Sequence, residues 1–204
     1  MAHYLTQILL TPEVIYKERI TDTYSLHRVV YDQFDRDLEN NTGSRAFPLW
    51  DVVYSQKQRK LIIMSASAPR EATDFLKNYR STIEFPENIL KQNYYNFALT
   101  VNPTKKKDER VIPIKDRESI REWFLKVSAK NGFEVDSQYL EIEKIYADIF
   151  VKSNHKVTIN KARIKGSLKV TNQELFSKAV FNGIGREKSF GCGLLQIVPK
   201  INAE

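Results

Sequence analysis

The same order of elements occurs twice along this chain, and that repetition constrains the fold more than any other feature. Residues 4–10, YLTQILL, form an apolar, β-favourable run that Pro12 ends. Asp22 or Thr23 can cap a helix beginning near Tyr24, in which Leu26, Val30 and Phe34 recur at four-residue spacing. That helix fades in the polar segment DLENNTGSR. The runs WDVVYS and KLIIMSAS, joined by QKQR, predict a hairpin, and EATDFLKNYR after Pro69 predicts a second, short helix. Pro86 marks a boundary. Beyond it, NYYNFALTVNP (93–103) predicts a strand, followed by a charged loop. A helix then starts near Arg117, with Ile120, Trp123, Phe124 and Val127 at i, i+3, i+4 and i+7 and Asn131-Gly132 as its stop. FEVDSQYLEIEKIYADIFV and HKVTINKARIKGSLKV show strand-like alternation, Thr171 is expected to cap NQELFSKAVFNG, and GLLQIVP closes as a strand. The second half reads β-α-β-β-α-β and the first at least β-α-β-β-α, which predicts an α+β chain of two tandem ferredoxin-like (RRM-like) units, residues 1–88 and 92–204.

Charge narrows the range of partners. The net charge is +7, but six basic residues and no acidic one lie between Lys152 and Lys169, which leaves 26 basic against 25 acidic residues elsewhere. The excess therefore sits in one segment: Lys152, Lys156, Lys161, Arg163, Lys165 and Lys169. Such a run is either a solvated face or a phosphate-binding surface, and its alternation with apolar residues fits a nucleic-acid contact. Lys105-Lys106-Lys107 is followed at once by Asp108 and Glu109 and is partly self-neutralised. One cysteine, Cys192, excludes an internal disulfide, and with His3, His27 and His155 it offers no zinc-type spacing; no metal and no cofactor is expected. No apolar run approaches the roughly 18 to 20 residues of a membrane span. MAHYLTQILL reads as a first strand and not as a signal peptide, so a cytoplasmic protein is expected.

Four of the seven glycines fall within Gly183–Gly193, in GIGREKSFGCGLL. This stretch follows a helix and leads into a strand, whereas a dinucleotide-binding fingerprint needs strand, glycines, then helix. Glycines here can serve as a helix C-cap and a close-packed turn. Alternatively they let the backbone approach another chain, with Arg186 and Lys188 as cations between the glycine pairs.

The loop G-x-G-x(5)-G-x-G-L-L, present as Gly183, Gly185, Gly191 and Gly193, resembles that of the CRISPR repeat-processing endoribonucleases, and the chain is similar to their CasE subfamily of type I-E systems. YLTQILL is similar to the opening strand of that family, DTYSLHRVV to its first helix with a Tyr-x-x-His pair, FALTVNPTKK to its central strand end and IREWF to its Trp-bearing helix. Where the family commonly has a cation before Asn-Pro, this chain has Thr100-Val101. The resemblance implies metal-independent cleavage of precursor CRISPR RNA at the 3′ base of the repeat stem-loop. The ribose 2′-hydroxyl attacks phosphorus, leaving a 2′,3′-cyclic phosphate and a 5′-hydroxyl. It further implies that the enzyme stays bound as a subunit of the type I-E surveillance complex, with other subunits as partners.

Tyr24 and His27 are i and i+3 on the first helix and share a face. On the family reading His27 is the principal acid/base residue, Tyr24 orients the scissile phosphate, and Arg28 offsets charge; general base and general acid both remain open for His27. A lone helical histidine can equally be a packing residue, and His155, in the basic segment, is a rival. The RNA-binding residues expected are Arg28, Lys152, Lys156, Lys161, Arg163, Lys165, Arg186 and Lys188. Two other readings are a non-catalytic RNA-binding module, with Tyr94, Tyr95 and Phe97 stacking bases, and a structural subunit of a ribonucleoprotein.

Overall fold

The structure, a computed structural model, describes residues 2–34, 47–55 and 57–200. The polar segment 37–45, where the first helical region is expected to fade, lies outside them. The chain divides into two units: Met1–Phe85 with Ile149–Val157 and Lys188–Gly191, and Pro86–Asp148 with Thr158–Glu187 and Cys192–Glu204.

In the first unit, β1 (Tyr4–Leu9), β2 (Leu49–Ser55), β3 (Gln58–Ser65) and β4 (Arg80–Glu84) form an antiparallel sheet in the order β2-β3-β1-β4. With β3 between β1 and β2, this is the split βαβ arrangement of a ferredoxin-like unit. Among the described residues, two helices lie between β1 and β2. The sequence reading missed the first, α1 (Pro12–Lys17): Pro12 ends the strand but also occupies the first helical turn, and Thr11 Oγ1 accepts from the Val14 amide at 3.2 Å. In α2 (Thr23–Tyr31) Asp22 is the N-cap, its carboxylate accepting from the Ser25 amide at 2.8 Å while Ser25 Oγ accepts from the Asp22 amide at 2.9 Å. Leu26, Val29 and Val30 turn inward onto Ile8, Trp50, Leu61 and Ile63 of the sheet.

The helix expected in EATDFLKNYR is not formed. A single 3₁₀ turn, Leu76–Asn78, buries Leu76, and from Arg80 onward the chain is β4, in register with β1 from Arg80↔Ile8 to Glu84↔Tyr4. Pairing with the open edge of β1 satisfies a row of backbone groups at once, and this outweighs the helical propensity of the short segment before it. It also supplies the fourth strand that the sequence reading of the first half lacked.

The second unit has β5 (Tyr94–Val101), a hairpin of β6 (Thr104–Lys107) and β7 (Arg110–Pro113), α3 (Arg117–Lys130), β8 (Phe133–Val135), α4 (Gln173–Asn182), β11 (Gln196–Pro199) and all of β9 (Glu141–Lys152) and β10 (His155–Val170) except their turn end, Ile149–Val157, which belongs to the first unit. Its sheet runs β11-β5-β10-β8, the same order as the first, with β9 also paired to β10. The tandem ferredoxin-like fold is thus present. The segment read as a charged loop is the β6–β7 hairpin, turned by Asp108 and Glu109 at φ 46° and 62°; Ser153 and Asn154, at φ 48° and 63°, turn β9 into β10 in the same way. Asn172, not Thr171, caps α4: its Oδ1 accepts from the Leu175 amide at 3.0 Å, while the Thr171 amide donates to the Gly132 carbonyl. Tyr95 and Phe97 are 0% and 4% exposed and pack with Phe124, Phe133 and Phe176, so they are core and not a base-stacking platform. No helix among the described residues is long and apolar enough to cross a membrane.

Candidate active site

The site lies within the first unit and is built around α2. Burial of Leu26, Val29 and Val30 leaves Tyr24, His27 and Tyr31 on one flank, one turn apart. The Tyr24 and His27 rings are stacked, with centroids 5.9 Å apart and 13° between planes, and Tyr31 lies 4.2 Å beyond His27. A 3₁₀ turn, Lys188–Phe190, closes over them. Its Ser189 carbonyl accepts from His27 Nδ1 at 2.8 Å and from Trp50 Nε1 at 3.1 Å. Phe190 sits 5.2 Å from His27, and Phe150 continues the cluster at 4.9 Å from Phe190 and 6.2 Å from Tyr24.

A carbonyl oxygen can only accept, so Nδ1 of His27 carries a proton and the lone pair of the neutral ring is on Nε2. No hydrogen bond engages Nε2 among the described residues. Burial among the rings pushes the His27 pKa below its ordinary 6.5; the Ser189 bond opposes that shift and the positive charge of Lys152 adds to it. The ring is therefore held neutral at pH 7, with Nε2 ready to accept a proton. Lys152 Nζ stands 5.5 Å from the Phe190 ring, and Arg28, exposed, has its guanidinium 5.9 Å from the Tyr24 ring.

Gly191 follows the turn at φ +76°, and a Cβ there would lie 2.9 Å from the Trp50 ring, so conformation and space both demand glycine. Gly185, at φ +85°, has nothing within 4 Å of that position and needs glycine for its conformation alone. Gly183 ends α4, and Gly193 donates its amide to Thr100 at 2.7 Å, both within the second unit.

The expected RNA-binding cations separate into two groups. Lys152, Lys156, Arg28 and Arg186 are exposed, as is His155 beside the β9–β10 turn; Lys188 is half-buried, and desolvation lowers its pKa. The others are engaged by β9, which runs alongside and carries the acids that the one-dimensional reading of the segment left out. Lys161 is buried with its ammonium 2.7 Å from Asp148, Lys165 lies within 3.4 Å of Glu141 and 3.3 Å of Glu143, and Arg163 lies 3.9 Å from Glu143. The picture of six solvent-facing cations is corrected accordingly, Lys161 above all. Arg163 also donates to Thr100 Oγ1 at 3.1 Å, so its guanidinium, from the paired strand, lies beside Thr100 of β5. Sequence reasoning missed Tyr31, Trp50, Phe150, Ser189 and Phe190. The aromatic residues carried the signal of core residues only, and Ser189 contributes a backbone carbonyl, for which no side-chain signal exists. Among the described residues no group of three His, Cys, Asp or Glu side chains is placed to hold a metal ion.

The family model described as CRISPR associated protein matches residues 3–199. Similar solved structures include the CRISPR endoribonuclease Cse3 bound to a 19-nucleotide RNA, 18% identical with a TM-score of 0.81 over 98% of this chain and 100% of that one. Another is Thermus thermophilus Cse3 bound to an RNA representing a pre-cleavage complex, 20% identical with a TM-score of 0.79 over 98% and 100%. The CRISPR-associated protein Cas6e from Escherichia coli K-12 is 18% identical with a TM-score of 0.61 over 97% and 100%. None of the curated proteins is close enough in sequence to count as a match.

Proposed function

Because this chain belongs to the CRISPR-associated protein family, we propose that it is an endoribonuclease that binds the repeat stem-loop of precursor CRISPR RNA and cleaves at the 3′ base of the stem. The observation that carries this reading is His27, with Nδ1 anchored on the Ser189 carbonyl, its ring stacked with Tyr24 and the charge of Lys152 acting on it. The similar structures bound to RNA support it.

His27 Nε2 takes the proton of the ribose 2′-hydroxyl as the 2′-oxygen bonds to phosphorus. The resulting imidazolium is stabilised by its Nδ1–H bond to Ser189 and returns that proton to the 5′-oxygen as the P–O5′ bond breaks. The products are a 2′,3′-cyclic phosphate and a 5′-hydroxyl, and no further reactant is consumed. Tyr24 orients the scissile phosphate, and Lys152 and Arg28 offset the charge of the phosphorane. Arg186, Lys156 and Lys188 contact the RNA backbone, whose A-form major groove is too narrow for most side chains to read. The enzyme works in the cytoplasm and, as the match to a CRISPR RNA-guided surveillance complex suggests by its fold, stays on its product beside partner subunits.

The test is incubation of the purified protein with a labelled repeat hairpin in EDTA, alongside His27→Ala and His155→Ala. A single cut ending in a cyclic phosphate, lost in His27→Ala while a gel shift persists, is expected. Loss in His155→Ala instead would overturn the assignment, and binding without cleavage would make the protein an RNA-binding module.

A further inference from the structure

We propose that Trp50 is a positioning residue for His27: it holds the Ser189 carbonyl where that oxygen fixes which imidazole nitrogen bears the proton. Trp50 is 2% exposed on β2 and at first sight is only a core residue. Its two ends, however, both meet the turn that faces His27. The indole N–H donates to Ser189 O at 3.1 Å, and the far edge of the ring, Cζ3 and Cη2, lies against Gly191 closely enough to forbid a Cβ. The indole thus brackets the turn between a hydrogen bond and a steric wall, and Gly191 closes it by donating its amide to the Lys188 carbonyl at 3.3 Å.

Ser189 O has two lone pairs, and its two donors, Trp50 Nε1 and His27 Nδ1, use both. Rotation of the Ser189–Phe190 peptide would strip both rings of their acceptor together, so each donor stabilises the peptide orientation that the other needs. Packing alone does not account for this, because an apolar ring such as phenylalanine could lie against Gly191 but has no donor for the carbonyl, whereas the indole N–H reaches it. The consequence lies at the opposite nitrogen. A histidine freed from such an acceptor favours the tautomer protonated on Nε2, which turns the atom facing the substrate from acceptor into donor.

The kinetic part of this inference rests on the endoribonuclease reading; the tautomer does not. The experiment is ¹⁵N NMR of the imidazole nitrogens in the full chain, with His27 signals assigned by their loss in His27→Ala, together with single-turnover cleavage and RNA affinity. In the wild type, His27 is expected as the Nδ1–H tautomer at neutral pH. Trp50→Phe keeps a ring against Gly191 and loses the donor: Nε2–H should become the major tautomer and cleavage should fall about tenfold with RNA affinity unchanged. An Nε2–H tautomer in the wild type would overturn the proposal, and so would Nδ1–H retained in Trp50→Phe, whatever the rate does. If Trp50→Phe does not fold, the wild-type spectrum and Gly191→Ala decide, the latter being expected to shift the tautomer in the same sense. A tautomer shift in a protein that cuts no RNA would count against the nuclease reading and leave Trp50 in its role.

Discussion

Lys152 and Lys161 belong to one acid-free run of sequence and lie in the same strand pair, yet they do opposite things. Lys152, near the turn, is exposed, stands over Phe190 and makes its charge felt at His27. Lys161, further along β10, is 4% exposed and bound to Asp148 at 2.7 Å. The difference lies in the strand beside them, because β9 carries Glu141, Glu143 and Asp148 away from the turn. The contrast separates an exposed cation at the turn from a buried ion pair away from it.

The largest effect should fall at the turn end. His27→Ala is expected to lower single-turnover cleavage by about three orders of magnitude while a gel shift with the hairpin is unchanged. Residual cleavage near the wild-type rate would take the chemistry away from this end of the hairpin altogether.

Next in size is the buried pair. Lys161→Ala removes the ammonium 2.7 Å from Asp148 and should cost about 2–3 kcal/mol in urea unfolding, with RNA affinity little changed. A stable Lys161→Ala protein with weak RNA binding would break the comparison. Replacing both partners with apolar residues of similar size should recover most of the loss.

Lys152→Ala is the matching experiment at the turn. Stability should hold, RNA affinity should drop several-fold, and the slope of log K against log salt should lessen by about 1. The same substitution removes a charge that disfavours imidazolium, so the acid limb of the pH–rate profile should move upward.

The smallest effect is the pH dependence itself. With a folded-state pKa held below the ordinary 6.5, His27 is neutral through the physiological range, and cleavage should rise with pH and level off below 6.5. The sign for stability follows from the same depression: the neutral ring favours the folded state above its unfolded pKa, and that contribution is lost as pH falls through the lower folded value. Urea titrations of wild type and His27→Ala between pH 5 and 8 should converge at the acid end.

Much of the fold was legible because it rests on local signals. The 3.6-residue stripe of Leu26 and Val30, the hairpin of WDVVYS with KLIIMSAS and the stop at Asn131-Gly132 each act within one segment. What escaped depends on partners distant in sequence. β4 forms because β1 offers an open edge, and Tyr95 and Phe97 sit inside because α3 and α4 bring Phe124 and Phe176 to them. At the site, the Tyr24–His27 pair was visible as helical spacing. The segments Ile149–Val157 and Lys188–Gly191 fall in the second half of the sequence but group with the first unit, and they bring Phe150, Ser189 and Phe190 with them. Nothing local in either segment announces that destination.

The atom that anchors His27 is a main-chain oxygen, and this has a consequence for how such a site changes over evolutionary time. A side-chain anchor is lost by one substitution, whereas the carbonyl of residue 189 survives every replacement of the serine that leaves the turn intact. A saturation scan at position 189 would therefore read as tolerant, although the position supplies the oxygen that accepts from His27 Nδ1. The intolerance would surface two residues later, at Gly191, where the path of the chain is set. Drift in sequence and constancy of geometry can coexist here, so this site is better traced by the glycine after the turn than by the residue that makes the bond.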